Sequence, residues 1–178
     1  MKTRFKAAAA ALLFVAGIGV GFGAQKQLQS MSTLYRGKPK QEAAKALLDD
    51  ALKLAGKDGS WERIGVGRVY YLGGMKAQGQ KIFDELLAGK PADSDIYRIA
   101  RVYQEAGEWQ KAKPLFDRYL AANPREEKDL AEVGAYYLLN GDRATAEQMF
   151  DRAYQIERED PWLSVRIAAA YLGVRPQQ

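Results

Sequence analysis

The sequence predicts an all-α chain built as an array of antiparallel helix hairpins, and three observations carry that expectation. Tyr35, Tyr70, Tyr103, Tyr137 and Tyr171 follow one another in steps of 35, 33, 34 and 34 residues, the period of helical-hairpin repeats. Gly74, Gly107 and Gly141 keep the same beat, as do Phe83, Phe116 and Phe150. Between these markers the apolar residues recur at helical spacing.

The segment from Asp93 to Pro124 shows the unit most clearly. Ile96, Ile99, Ala100 and Tyr103 stand at i, i+3, i+4 and i+7, one apolar stripe along a helix. Gly107 breaks the pattern. Ala112, Leu115, Phe116, Tyr119 and Leu120 then form a second stripe, and Asn123-Pro124 ends it, because proline disfavours helical geometry in the residue before it.

Taken in order, residues 1–24 open with Lys2, Arg4 and Lys6 and continue as an uncharged run from Ala7 to Ala24, the charge pattern of an export signal. Gly21 and Gly23 suit a cleavage site, and the run is also long enough to remain as a membrane anchor. Both forms stay open at this stage. Residues 25–59 form a degenerate first repeat that also caps the array, with Met31, Leu34 and Tyr35 in a first helix and Ala44, Leu47, Leu48, Ala51 and Leu52 on a second over 41–54. Ser60 is expected to N-cap the next helix. Complete repeats follow at 60–92, 93–126 and 127–160, and residues 161–178 supply a lone capping helix and a tail. A solitary helix after the last hairpin would cover the face a helical stack leaves open.

These repeats resemble the tetratricopeptide repeat family. The matching positions are Gly67 with Tyr70, Ala100 with Tyr103, Gly134 with Tyr137 and Ala168 with Tyr171, followed by Ala112 with Phe116, Ala146 with Phe150, and the closing Pro91 and Pro124. Gly79 stands where the pattern has Ala, and Arg158 where it has a third Pro. The resemblance implies a right-handed superhelical α-solenoid whose concave groove, lined by the first helix of each pair, binds peptides.

Composition narrows the function. The chain has 178 residues with no Cys and no His, which removes thiol nucleophiles, Ser-His pairs and most zinc-ligand sets. No catalytic residue, metal ligand or cofactor is expected, and the chain reads as a non-enzyme. Of the formal charge of +5, three positive charges fall in the leader, leaving +2; a nucleic-acid partner would want a denser basic surface. The carboxylate pairs Asp49-Asp50 and Asp84-Glu85 are adjacent on their helices and point about 100° apart, so neither converges on one substrate atom.

The residues opposite the buried stripe are the candidate groove. In the first complete repeat they are Trp61, Ile64, Arg68 and Tyr71, and in the second Tyr97, Arg98, Arg101 and Gln104. Aromatic rings mixed with guanidinium groups suit a peptide carrying carboxylates, an acidic segment or a free C-terminus. In the third repeat the set is Lys128, Ala131, Ala135 and Leu138, and in the last helix Trp162, Val165, Ala169 and Leu172. That second half is an apolar trough, which normally implies a partner or a covering segment. Trp109, just after the Gly107 turn, is expected to pack between hairpins.

The sequence thus reads as a bacterial envelope protein, periplasmic or tethered through residues 1–24, that binds another polypeptide as an adaptor or assembly factor. Two alternatives stand beside it: a self-associating scaffold joined through the trough around Leu138 and Trp162, and a carbohydrate binder that stacks sugars on Trp61, Tyr71 and Tyr97.

Overall fold

Schellman turns explain why the tyrosine period and the glycine period run together. The Tyr103 carbonyl accepts a hydrogen bond from the Glu108 N–H at 2.8 Å across Gly107, and the Tyr137 carbonyl accepts one from the Asp142 N–H at 3.0 Å across Gly141. Gly107 and Gly141 have φ of 75° and 90°, the left-handed conformation that closes a helix in this motif and that a side chain would strain. Tyr103 and Tyr137, like Tyr70, whose carbonyl accepts from the Met75 N–H at 2.9 Å, are therefore the residues whose carbonyls these turns return to.

A computed structural model describes residues 31–176. They contain eight helices and no strand. The chain divides into two units, Met1–Gly56 and Lys57–Gln178.

In the first unit, α1 is Lys40–Ala55, close to the expected helix over 41–54, and it has no fully buried residue. Residues 31 and 32 are helical, as expected, but residues 33–37 form turns where the helix was expected to carry Leu34 and Tyr35, and Tyr35 is 48% exposed. The backbone bonds there run from Leu34 N–H to Met31 and from Arg36 N–H to Ser32, and Gly37 follows with φ of 72°. The leader expected over residues 1–24 lies outside the described residues. Among the described residues no helix is long and apolar enough to cross a membrane.

The second unit holds α2 (Ser60–Leu72), α3 (Lys76–Ala88), α4 (Asp93–Glu105), α5 (Trp109–Ala122), α6 (Glu127–Leu139), α7 (Arg143–Ile156) and α8 (Pro161–Tyr171). Packing is densest within the pairs α2–α3, α4–α5 and α6–α7, and α8 packs mainly on α6. Consecutive hairpins joined in this way are consistent with an α-solenoid. The core runs through the hairpins: Phe83 and Phe116 are fully buried, and Phe150 is nearly so. Phe83 and Phe150 each meet a glycine of the first helix. A Cβ built on Gly67 would lie 2.5 Å from the Phe83 ring, and one on Gly134 would lie 2.7 Å from the Phe150 ring.

Neighbouring hairpins are joined through the same tyrosines. Gln80 Nε2 donates to the Tyr103 hydroxyl at 2.7 Å, the Tyr137 hydroxyl donates to Asp117, and the Tyr171 hydroxyl donates to Glu147 at 2.8 Å. In each case the second helix of one pair holds the marker ring of the next first helix. Tyr70, Tyr103 and Tyr137 are buried, whereas Tyr171 is 48% exposed. Trp109 packs edge-on to Tyr137 with centroids 4.9 Å apart, a contact between successive hairpins.

Ser60 corrects the capping expectation. It is the first helical residue, and its hydroxyl donates to Asp95 Oδ1 at 3.1 Å, so it links first helices instead of closing its own. Side-chain caps occur at Asp142, which accepts from the Thr145 N–H, and at Asp160, which accepts from the Trp162 N–H.

Candidate functional site

The first helices α2, α4, α6 and α8 carry the residues expected to line a groove, except Leu172, which caps α8, and the structure sorts them into three kinds. Ile64, Tyr71, Tyr97, Gln104, Ala131 and Ala135 are buried, with exposures of 0–9%. They pack between helices rather than toward solvent. The reason is geometric: a first helix in a stack is covered by its own second helix and also by the next first helix. Two sides close where a single amphipathic stripe predicts one.

The basic residues of α2 and α4 are engaged within the fold. Arg68 meets Glu105 in a two-pronged pair, with Nε 2.6 Å from Oε2 and Nη2 on Oε1. Arg101 Nε lies 3.1 Å from Glu132, which also accepts from the Tyr136 hydroxyl at 2.8 Å. The Arg98 guanidinium covers the Trp61 ring, 3.1 Å from its centroid, a cation–π contact. The three arginine contacts each join one first helix to the next. Guanidinium forks chosen by spacing as ligand groups thus serve as rungs between repeats.

Burial raises the Tyr97 hydroxyl pKa far above its ordinary value, and the Glu132 carboxylate nearby adds to the rise. Its oxygen has no hydrogen-bond partner among the described residues. The ring sits against Phe116 and Tyr119, with centroids 5.6 and 4.6 Å away.

The third kind stays open. Trp61 is 60% exposed and Trp162 67%, Lys128 is exposed, and Leu138 is half-buried. Trp162 belongs to a cavity of about 410 Å³ between α6 and α8. Its apolar walls are Ala131, Ala135, Val165, Ala169 and Trp162, closed by Val174 and Pro176, while Glu132, Arg166 and Arg175 supply its charges. Four of those apolar residues with Trp162 are the expected trough, which the fold brings together as one hollow; Leu138 and Leu172 do not line it.

Spacing missed the residues that make the hollow polar and give it an end. Arg166 lies one turn beyond Trp162 on α8, a signal the i, i+4 rule carries. The tail returns because Gly173, φ 76°, closes α8 with the Val174 N–H on the Ala169 carbonyl at 2.9 Å. Without a marker tyrosine in register, that turn is invisible to the repeat pattern. Glu132 is held by Arg101 and Tyr136, whereas Arg166 and Arg175 have no ion-pair or hydrogen-bond partner among the described residues.

Neither the protein-family models nor the curated proteins give a match to this chain. Among the described residues, no cluster of three or more His, Cys, Asp or Glu side chains is arranged to hold a metal ion. What the hollow offers chemically is an apolar pocket, one indole and two available guanidinium groups.

Proposed function

We propose that this chain is a non-enzymatic binding module of the tetratricopeptide type, and that it holds a segment of another polypeptide in the groove lined by its first helices. The observation that carries the reading is the hollow between α6 and α8. Its volume of about 410 Å³ falls in the range of small ligand pockets. Its apolar walls suit one or two aliphatic or aromatic side chains, and Arg166 with Arg175 suits a neighbouring carboxylate. An acidic segment with an apolar anchor, or a chain terminus of that kind, is the matching partner. The sugar-stacking alternative has less to rest on, since Tyr71 and Tyr97 are buried and Arg98 covers a face of Trp61.

The basic start and apolar run of residues 1–24 support an exported protein, free in the periplasm or tethered, that serves as adaptor or assembly factor of the bacterial envelope. Peptide display against the full chain tests the binding reading. Acidic sequences with an apolar anchor should be enriched, and Arg166→Glu with Arg175→Glu should abolish their binding while the fold is kept. No enrichment, or binding indifferent to both charge reversals, would overturn it.

A further inference from the structure

Five residues before the marker tyrosines stand Gly65, Arg98, Glu132 and Arg166, equivalent positions that stacked hairpins set in a row across their first helices. The row is open to solvent. A Cβ built on Gly65 would meet nothing within 4 Å, Arg166 is exposed, and Arg98 and Glu132 are half-buried. From α4 to α8 its charges run plus, minus, plus, and each has bonding capacity to spare. Arg98 rests on the Trp61 ring and, like Arg166, has no ion-pair or hydrogen-bond partner among the described residues. Arg101 and the Tyr136 hydroxyl both bond Oε1 of Glu132, so its Oε2 is left without a partner among the described residues.

We propose that the partner segment crosses α4, α6 and α8 as a polyproline II strand and carries an acid, a base and an acid at three-residue steps, one for each charge of the row. This rests on the peptide-binding reading above and adds to it the order of charges and the conformation. Packed helix axes lie about 8–10 Å apart. A polyproline II strand has three residues per turn and rises about 3.1 Å per residue, so side chains three apart share one face and recur about every 9 Å. A β-strand alternates its side chains with period two and would turn the middle charge away. An α-helix would need about six residues for each step. The apolar anchor adjoins the acid that meets Arg166 and Arg175, where the hollow lies.

Glu132 decides the order. A uniformly acidic segment would set a carboxylate against it, and Arg101 offsets that repulsion only in part. Lys128 is the other charge on this face of α6, one turn nearer the helix start, in the exposed row that holds Trp61, Ser94 and Trp162. It makes no ion pair with Glu132 among the described residues, so the Glu132 carboxylate stays available to a cation of the partner.

Fluorescence anisotropy of three labelled peptides on the full chain tests this, each peptide made in both chain directions. The ordered probe is Phe-Glu-Pro-Ala-Lys-Pro-Ala-Glu, with proline to favour the required conformation. The exchanged probe is Phe-Glu-Pro-Ala-Glu-Pro-Ala-Lys, and the acidic probe is Phe-Glu-Pro-Ala-Glu-Pro-Ala-Glu. In its better direction the ordered probe should bind roughly tenfold more tightly than the exchanged one, which reverses two contacts, and about threefold more tightly than the acidic one, which reverses one. Glu132→Gln keeps an acceptor for Arg101 and Tyr136 but removes the charge, so it should abolish the preference over the acidic probe, and Lys128→Gln should leave that preference intact. An acidic probe that binds as tightly as the ordered one, or a preference that survives Glu132→Gln or vanishes with Lys128→Gln, overturns the charge order and leaves the peptide-binding reading standing. No binding by any probe overturns both.

Discussion

Gly79 and Gly67 approach backbone to backbone: a Cβ on Gly79 would lie 2.6 Å from the Gly67 carbonyl oxygen and 2.8 Å from the Tyr71 nitrogen. The equivalent positions of the next two hairpins, Ala112 and Ala146, hold a methyl group and are fully buried. The Gly at 79 thus marks a tighter α2–α3 crossing, and the contact is with backbone, which cannot step aside.

Replacing Gly79 by Ala should destabilise the fold by about 1–3 kcal/mol through overpacking, although alanine is intrinsically the better helix former. Gly65 is the control. It lies in the same hairpin, with nothing within 4 Å of its built Cβ, so Gly65→Ala should stabilise by about 0.5–1 kcal/mol. Thermal or urea melts of the two variants decide both signs.

Glu108 governs an acid-sensitive joint. Burial works against its charge, but hydrogen bonds from Lys76, Tyr71 and Lys111 outweigh it and hold the carboxyl down to about 2, from an ordinary 4.5. A group depressed in the folded state stabilises above its unfolded pKa and loses that contribution as pH falls through the folded one. The Glu108 contribution should therefore be full above about pH 4.5 and fade toward pH 2. Melting temperatures over that window should fall less steeply in Glu108→Gln than in the wild type.

The Tyr137 hydroxyl donates to Asp117, and its ring is 2% exposed. Tyr137→Phe removes the hydrogen bond and leaves the ring packing, so it should cost about 1 kcal/mol in denaturant unfolding. Tyr35→Phe should be neutral by the same measurement, since that ring is 48% exposed within a turn.

The Arg68–Glu105 pair joins α2 to α4, with the two side chains 43% and 26% exposed. Solvent screening limits such a pair, and a double-mutant cycle with Ala at both positions should return a coupling of about 0.5–1 kcal/mol. Raising salt should reduce it.

The hairpins were legible in the sequence because their signals are local. A glycine that must turn left, a tyrosine four residues before it and a Phe over a small residue all lie within one repeat. Placement of side chains between repeats was less legible. Spacing separated a wet face from a dry one, yet Tyr71 and Tyr97 sit on flanks that adjacent repeats close, and Arg68 and Arg101 spend their charge on the next first helix. The trough of Ala131, Ala135, Val165 and Ala169 was readable because small residues there leave room whichever neighbour packs on them. Arg175 entered the site only through the turn at Gly173.

Tyr103 and Tyr137 tie their turns to the hairpin before, with the carbonyl closing one and the hydroxyl held by the other. Losing one repeat therefore loosens its neighbour, and opening should spread from whichever end is held least. Tyr171, half in water on α8, identifies that end. Amide exchange within this unit should run fastest in α8 and slow progressively toward α4, a gradient that a partner seated on the terminal helix would erase.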